Sequence, residues 1–161
     1  MTETRTPLHT GGCQCGAVRY ALYAEPSNPH LCHCRMCQKA FGSFFAPLAG
    51  VARGDLAWTR GAPAVFASSP IVERGFCAGC GTPLTFRFTD AERINVSIGS
   101  LDAPERMRPQ AQLGVESRLP WFDALATLPH ARTEDAMDDD RLAAIVSHQH
   151  PDHDTDAWPP T

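Results

Sequence analysis

The sequence has no apolar run able to cross a bilayer. Its most apolar stretch, FFAPLAGV (44–51), falls far short of the roughly 20 residues that a spanning helix needs, so no membrane partner is expected. The opening MTETRTPLHT has no apolar core of the kind a secretion signal carries, and the expected location is cytoplasmic. No stripe of lysine and arginine is present, net charge is −4 and the pI is about 5.9; a nucleic-acid partner is therefore not expected. No internal repeat is found, and helical signals are few. No His-x-Glu occurs and Cys77 follows Phe76 rather than a proline, which excludes the zinc deaminases. There is no eighth cysteine, and that absence bears most on function.

The chain has 161 residues, 43% of them hydrophobic, enough for one core of useful size. Short alternating or β-branched segments bounded by Gly, Pro and Ser indicate a mainly β fold. They are AVRYALY (17–23, with Val18, Tyr20 and Leu22 on one face), SFFAPLAGV, DLAW, AVFAS, IVERGF, LTFRFT (84–89), RINVSIGSL (93–101) and QAQLGVES (110–117). The DAE between LTFRFT and RINVSIGSL suits a hairpin. Three short helices are expected: CRMCQKA (34–40) stopping near Gly42, LPWFDAL (119–125) with Pro120 early in it, and DDDRLAAIVSHQ (138–149) with acids in its first turn. The closing HPDHDTDAWPPT reads as a loose polar tail. The expected division is an N-terminal tail (1–9), a zinc-binding domain (10–130), and a C-terminal helix and polar tail (131–161).

Seven cysteines in three groups between positions 13 and 80 point to metal. In a reducing compartment thiols stay free or bind metal, and an odd number speaks against a closed disulfide framework. Cys77 and Cys80 form a Cys-x-x-Cys knuckle with Gly79 and Gly81 beside them; Cys13 and Cys15, between Gly12 and Gly16, form a tighter one. Two knuckles from distant segments build a closed four-cysteine zinc site: Cys13, Cys15, Cys77 and Cys80. Joining Cys32 and Cys34 to Cys77 and Cys80 instead would split the compact CHCRMC cluster (32–37).

That cluster leaves Cys32, Cys34 and Cys37 as three ligands for a second zinc. Its fourth position either stays open, as in catalytic sites, or is closed by a histidine or carboxylate, with His30 and His130 as candidates. His33, between two ligands, is expected to point away. An open zinc already holding three thiolates is a weak Lewis acid for water but suits another soft ligand, so a substrate thiol is the expected visitor. Arg35 and Lys39 are placed to balance the charge and steer an anionic thiol, or else are solvated surface residues.

GGCQCGAVRY, CHCRMCQKAFGSFF, GFCAGCGTPL and VESRLPWFDAL follow in order a known pattern. From about residue 10 to about 130 the chain resembles the glutathione-dependent formaldehyde-activating enzyme and centromere protein V family. The resemblance implies an Mss4-like β fold stapled by two zinc ions, with the same division of cysteines. It also implies a carbon–sulfur lyase that joins a glutathione-like thiol to formaldehyde, giving an S-hydroxymethyl adduct, with Cys32, Cys34 and Cys37 at the catalytic metal. The thiol sulfur would add to the carbonyl carbon and a nearby donor, with His33 as candidate, would protonate the alkoxide. The alternative is a non-catalytic zinc module that binds proteins. Trp121 and Phe122 are candidates for the site wall or the core. SHQHPDHD (147–154) resembles the metallo-β-lactamase metal motif, but that fold needs further ligands downstream, so no site is expected there.

Overall fold

A computed structural model describes residues 5–159; residues 1–4 of the expected N-terminal tail and the final Pro160 and Thr161 lie outside the described residues. Ten strands and three short α-helices follow one another. The strands are β1 (His9–Gly12), β2 (Arg19–Leu22), β3 (Ser27–Cys32), β4 (Ala46–Ala52), β5 (Leu56–Arg60), β6 (Ala64–Ser69), β7 (Val72–Phe76), β8 (Pro83–Phe88), β9 (Arg93–Ser97) and β10 (Ala111–Leu113). The helices are α1 (Arg35–Phe41), α2 (Thr133–Ala136) and α3 (Asp139–Ala144). A three-stranded sheet runs β1-β2-β5 and a seven-stranded sheet runs β10-β3-β4-β9-β8-β7-β6. Every pairing is antiparallel except β10 with β3. No helix among the described residues is long and apolar enough to cross a membrane.

The mainly β expectation holds, and so does the hairpin: β8 and β9 pair antiparallel around the turn containing DAE. α1 forms where CRMCQKA predicts it. The Cys34 sulfur caps its start by accepting from the Cys37 N–H, and Gly42 in the left-handed conformation ends it by donating to the Gln38 carbonyl. LPWFDAL forms no α-helix; a 3₁₀ run at Phe122–Thr127 takes its place. The last helix is shorter than expected, ending at Ala144, with Ile145 and Val146 exposed beyond it. A longer helix would have no apolar neighbour to pack on, and short unpacked helices are marginal in water.

The main buried cluster joins both sheets, and a smaller one lies between α1 and β4. The main core joins Tyr20, Leu22, Val51, Leu84, Val96 and Leu101 and takes in Cys13 and Cys77; a smaller one joins Cys37, Ala46 and Leu48. In β2 the expected one-face alternation is replaced by burial of all four residues. Arg19 is buried on the second face because it forms ion pairs with Asp102 and with Asp154.

Asp154 belongs to the stretch expected to be loose, and that expectation is corrected. The His150 N–H donates to the Gln14 carbonyl (2.7 Å), the His150 ring packs on Trp158, and Arg60 donates to the Thr155 carbonyl. The closing segment is a strap over β2, β5 and the Cys13/Cys15 knuckle. Composition missed it because its partners, Arg19 and Arg60, lie far away in the sequence.

Candidate metal centres

The first cysteine group gathers Cys13, Cys15, Cys77 and Cys80, all four sulfurs lying within 4.8 Å of one another. β1 ends at Gly12 and β7 at Phe76, so the two knuckles follow directly from strands of different sheets. A tetrahedral zinc with ligands at 2.3 Å sets its sulfurs about 3.8 Å apart. Cys13 and Cys15 are 3.6 Å apart, and Cys15 and Cys77 3.7 Å. These separations fit a metal and are far too long for disulfides. The Val18 N–H donates to the Cys13 sulfur (3.2 Å), and the Gly81 N–H to the Cys77 carbonyl (2.8 Å), closing both turns. Gly81 has φ of +80°, a left-handed turn conformation that strains other residues.

The second group gathers Cys32, Cys34 and Cys37 within the same 4.8 Å limit. Cys32 ends β3, Cys34 caps α1, and Cys37 lies on its buried face. Among the described residues no histidine, aspartate or glutamate joins them. The His30 Nδ1 faces the Asn28 carbonyl (2.8 Å), and His130 is exposed. Both of the sequence-level candidates for closing the site are thus engaged elsewhere or remote.

His33 points away from the sulfurs, as expected, and is fully buried (0% exposed). Its Nε2 meets Gln112 Oε1 at 2.8 Å, its ring stands edge-on to Phe45 and Phe122, and its Nδ1 has no hydrogen-bond partner among the described residues. A ring walled in this way has no open path to a substrate. Its contact with Gln112 ties the loop to β10.

Two features that the sequence reading missed shape this centre. The first is the parallel β10–β3 pair: Leu113 lies opposite Cys32, and the His33 N–H donates to the Leu113 carbonyl (2.8 Å). The chain then turns at Gly114, φ +64°, where an added Cβ would stand 2.7 Å from the Cys34 nitrogen. From there it runs over α1, where Gln38 Nε2 donates to the carbonyls of both His33 and Ser117. Phe122 stacks on His33, while Trp121 lies half in solvent against Phe44.

The second is Arg74, only 6% exposed. Its Nη2 donates to the Cys37 sulfur (3.4 Å), its Nε to Ser68 Oγ (3.1 Å), and its guanidinium lies over the Phe86 ring. It forms no ion pair with a carboxylate among the described residues. A buried cation requires a counter-charge, and the thiolates of this centre supply it, Cys37 in contact and Cys34 within Coulomb range. The signal was present in IVERGF, since alternation puts Arg74 on the same face as buried Val72.

Burial pushes the Cys13 and Cys32 thiols up to about 12. Burial also acts against ionisation of Cys80, but donors at Thr82 and the Cys15 backbone outweigh it and bring that thiol down to about 6. At Cys37 burial raises the pKa while Arg74 opposes it. A bound divalent ion would remove the burial penalty, because coordination deprotonates a thiol outright. Both donor sets thus fit a soft metal, and neither set is stable as a group of bare thiolates.

A mainly β chain with two separate thiol clusters is a narrow class, and comparison with known proteins narrows it further. Residues 8–117 match the family described as Glutathione-dependent formaldehyde-activating enzyme, and the chain belongs to that family. A curated relative from Schizosaccharomyces pombe, named Uncharacterized lyase C29B12.13, is 29% identical over 86 residues, 53% of this chain. The chain spans 62% of that relative's length. The crystal structure of a Rhodobacter sphaeroides protein shares the fold, with a TM-score of 0.50 and 23% identity over 64% of this chain and 98% of that one.

Proposed function

We propose that this chain is a zinc-dependent carbon–sulfur lyase-type enzyme that adds a glutathione-like thiol to a small aldehyde such as formaldehyde. In that reading Cys13, Cys15, Cys77 and Cys80 hold a structural zinc, and Cys32, Cys34 and Cys37 hold the catalytic one. The observation that carries it is the contrast in donor sets: four sulfurs at one centre, three at the other, with no further ligand beside them among the described residues. Family membership supports the thiol and the aldehyde as substrate classes.

Zinc at the three-cysteine centre would supply a soft coordination position that keeps a visiting thiol ionised near neutral pH. The chain's own residues do the rest. Three thiolates give the metal site a net charge of about −1, and the guanidinium of Arg74 against Cys37 offsets it. Gln38 and the turn at Gly114 fix the loop that aims the sulfurs. In the overall reaction a sulfur–carbon bond forms, the carbonyl π bond breaks, and the thiol proton ends on the alkoxide oxygen.

Two measurements test the reading. Metal analysis should find two zinc ions per chain, and cobalt substituted into the three-cysteine centre should change its spectrum when glutathione or 2-mercaptoethanol is added. NMR exchange spectroscopy should then show formaldehyde–thiol exchange faster than in buffer. An unchanged cobalt spectrum together with a buffer-level rate would favour a zinc-stapled interaction module. The exposed Val65 and Ile71 near the β6 edge would then belong to its contact surface.

A further inference from the structure

Beside the three-cysteine centre, between α1 and strands β6, β7 and β8, lies a cavity of about 760 Å³. Its wall is largely apolar, with Met36, Phe41, Phe66, Phe76 and Pro83. Three cations, Arg35, Lys39 and Arg74, also line it, and no aspartate or glutamate among the described residues does. None of the three pairs with a carboxylate among the described residues. Two hydroxyls also stand in the wall: Ser68 Oγ accepts from Arg74, and Thr85 Oγ1 accepts from the Gly75 N–H (3.1 Å). Arg74 Nη1 is buried without a hydrogen-bond partner among the described residues, an arrangement that native proteins rarely leave unexplained.

We propose that this cavity receives a ligand with a carboxylate, an apolar body and no amino group. Resting on the thiol reading above, the substrate class is a carboxylated, amine-free thiol. Arg74 Nη1 offers the carboxylate a donor, Arg35 and Lys39, exposed beside it, add positive charge, and the aromatic wall takes the apolar body. An ammonium would meet the charges of Arg35 and Lys39 and no aspartate or glutamate among the described residues of the wall. The cavity therefore disfavours glutathione relative to a simpler acid.

The test uses probes without sulfur, so that cavity and metal are read separately. Zinc-loaded, ¹⁵N-labelled protein is titrated with 3-phenylpropionate, with its neutral amide 3-phenylpropanamide, and with phenylalanine, which adds only the ammonium. The backbone signals of Lys39, Gly75, Gly81 and Thr85 should move with 3-phenylpropionate. Affinity for the amide and for phenylalanine should be at least about tenfold lower, the scale of one lost charge-assisted contact. A double variant, Arg35→Ala with Lys39→Ala, changes only exposed side chains; it should weaken the acid several-fold and leave the amide unaffected. Equal affinity for acid and amide, no binding of the acid, or shifts mapping away from the cavity would overturn the anion assignment while leaving the cobalt response to thiols intact. Phenylalanine binding as well as 3-phenylpropionate would overturn the amine-free class. A cobalt spectrum indifferent to every thiol would overturn the thiol reading and the substrate assignment with it.

Discussion

The two cysteine centres use the same donor atom in opposite ways. At Cys13, Cys15, Cys77 and Cys80 two knuckles from separate sheets converge, so the centre ties β1 to β7 and sits in the main core. At Cys32, Cys34 and Cys37 all ligands come from one strand end and one helix, with contiguous chain between them. A metal at the first centre would cross-link distant segments; at the second it would be gripped by a single loop. Four donors from afar make a staple. Three from nearby make a seat.

The sharpest way to break this contrast is to remove one sulfur from each centre. Cys77→Ser should prevent stable folding, because structural zinc supplies on the order of 10 kcal/mol to small metal domains; circular dichroism melts would read it. Cys37→Ser should leave a folded chain with one metal ion fewer and no thiol response in the cobalt spectrum. If Cys37→Ser unfolded the chain as thoroughly as Cys77→Ser, the staple-and-seat distinction would fail.

Next in size is the buried pair beside the first centre. Asp102 accepts two bonds from Arg19 (2.7 and 2.6 Å) and one from Thr10. Burial raises its pKa, but the Arg19 bonds prevail and hold the carboxyl below the usual carboxylate range. A depressed folded pKa contributes stability above the unfolded value of about 4, lost as pH falls through the folded value. Asp102→Asn should therefore cost about 3 kcal/mol at neutral pH, and the gap to the parent should close below about pH 4 in acid-denaturation curves.

A smaller effect, confined to the second centre, is expected from Gly114→Ala. The left-handed φ and the 2.7 Å approach to Cys34 should cost about 1–3 kcal/mol. The variant should lose metal from the three-cysteine centre first, followed by chelator competition. Smallest is deletion of residues 149–161. The strap covers Gln14 and Gly16, so its loss should speed chelator removal of the four-cysteine metal several-fold and leave the other ion unchanged. Burial holds the His150 pKa below its ordinary value. The strap's contribution is therefore full above about pH 6.5 and declines as pH falls towards the folded value. Below that window the intact chain should lose metal more nearly as the truncated one does.

Much of the candidate site was legible because thiol spacing is a local property. Cys-x-x-Cys and Cys-x-Cys can aim at one point only through tight turns, and Gly81 marks one such turn. Alternation placed most strands, and Gly42 marked the end of α1. β3 was missed because SNPHLC (27–32) lacks alternation and carries a proline. Its strand character comes from pairing with β4 and β10. The strap was misread because polar, Pro-rich composition reports low intrinsic order and says nothing about a docking partner such as Arg19.

By itself the sequence determined the number of sulfurs, their grouping into three local clusters, and the β character of what carries them, because these depend on neighbours a few residues apart. Only the tertiary structure decided which cation faces Cys37, that His33 is walled in, and that a cavity lined by three cations opens beside the second centre. Those outcomes depend on strand register: β7 sets Arg74 opposite Phe86 and Phe66, and β10 brings Leu113 opposite Cys32. Pairing between residues tens of positions apart is settled by which faces bury together, and no short stretch of sequence records that.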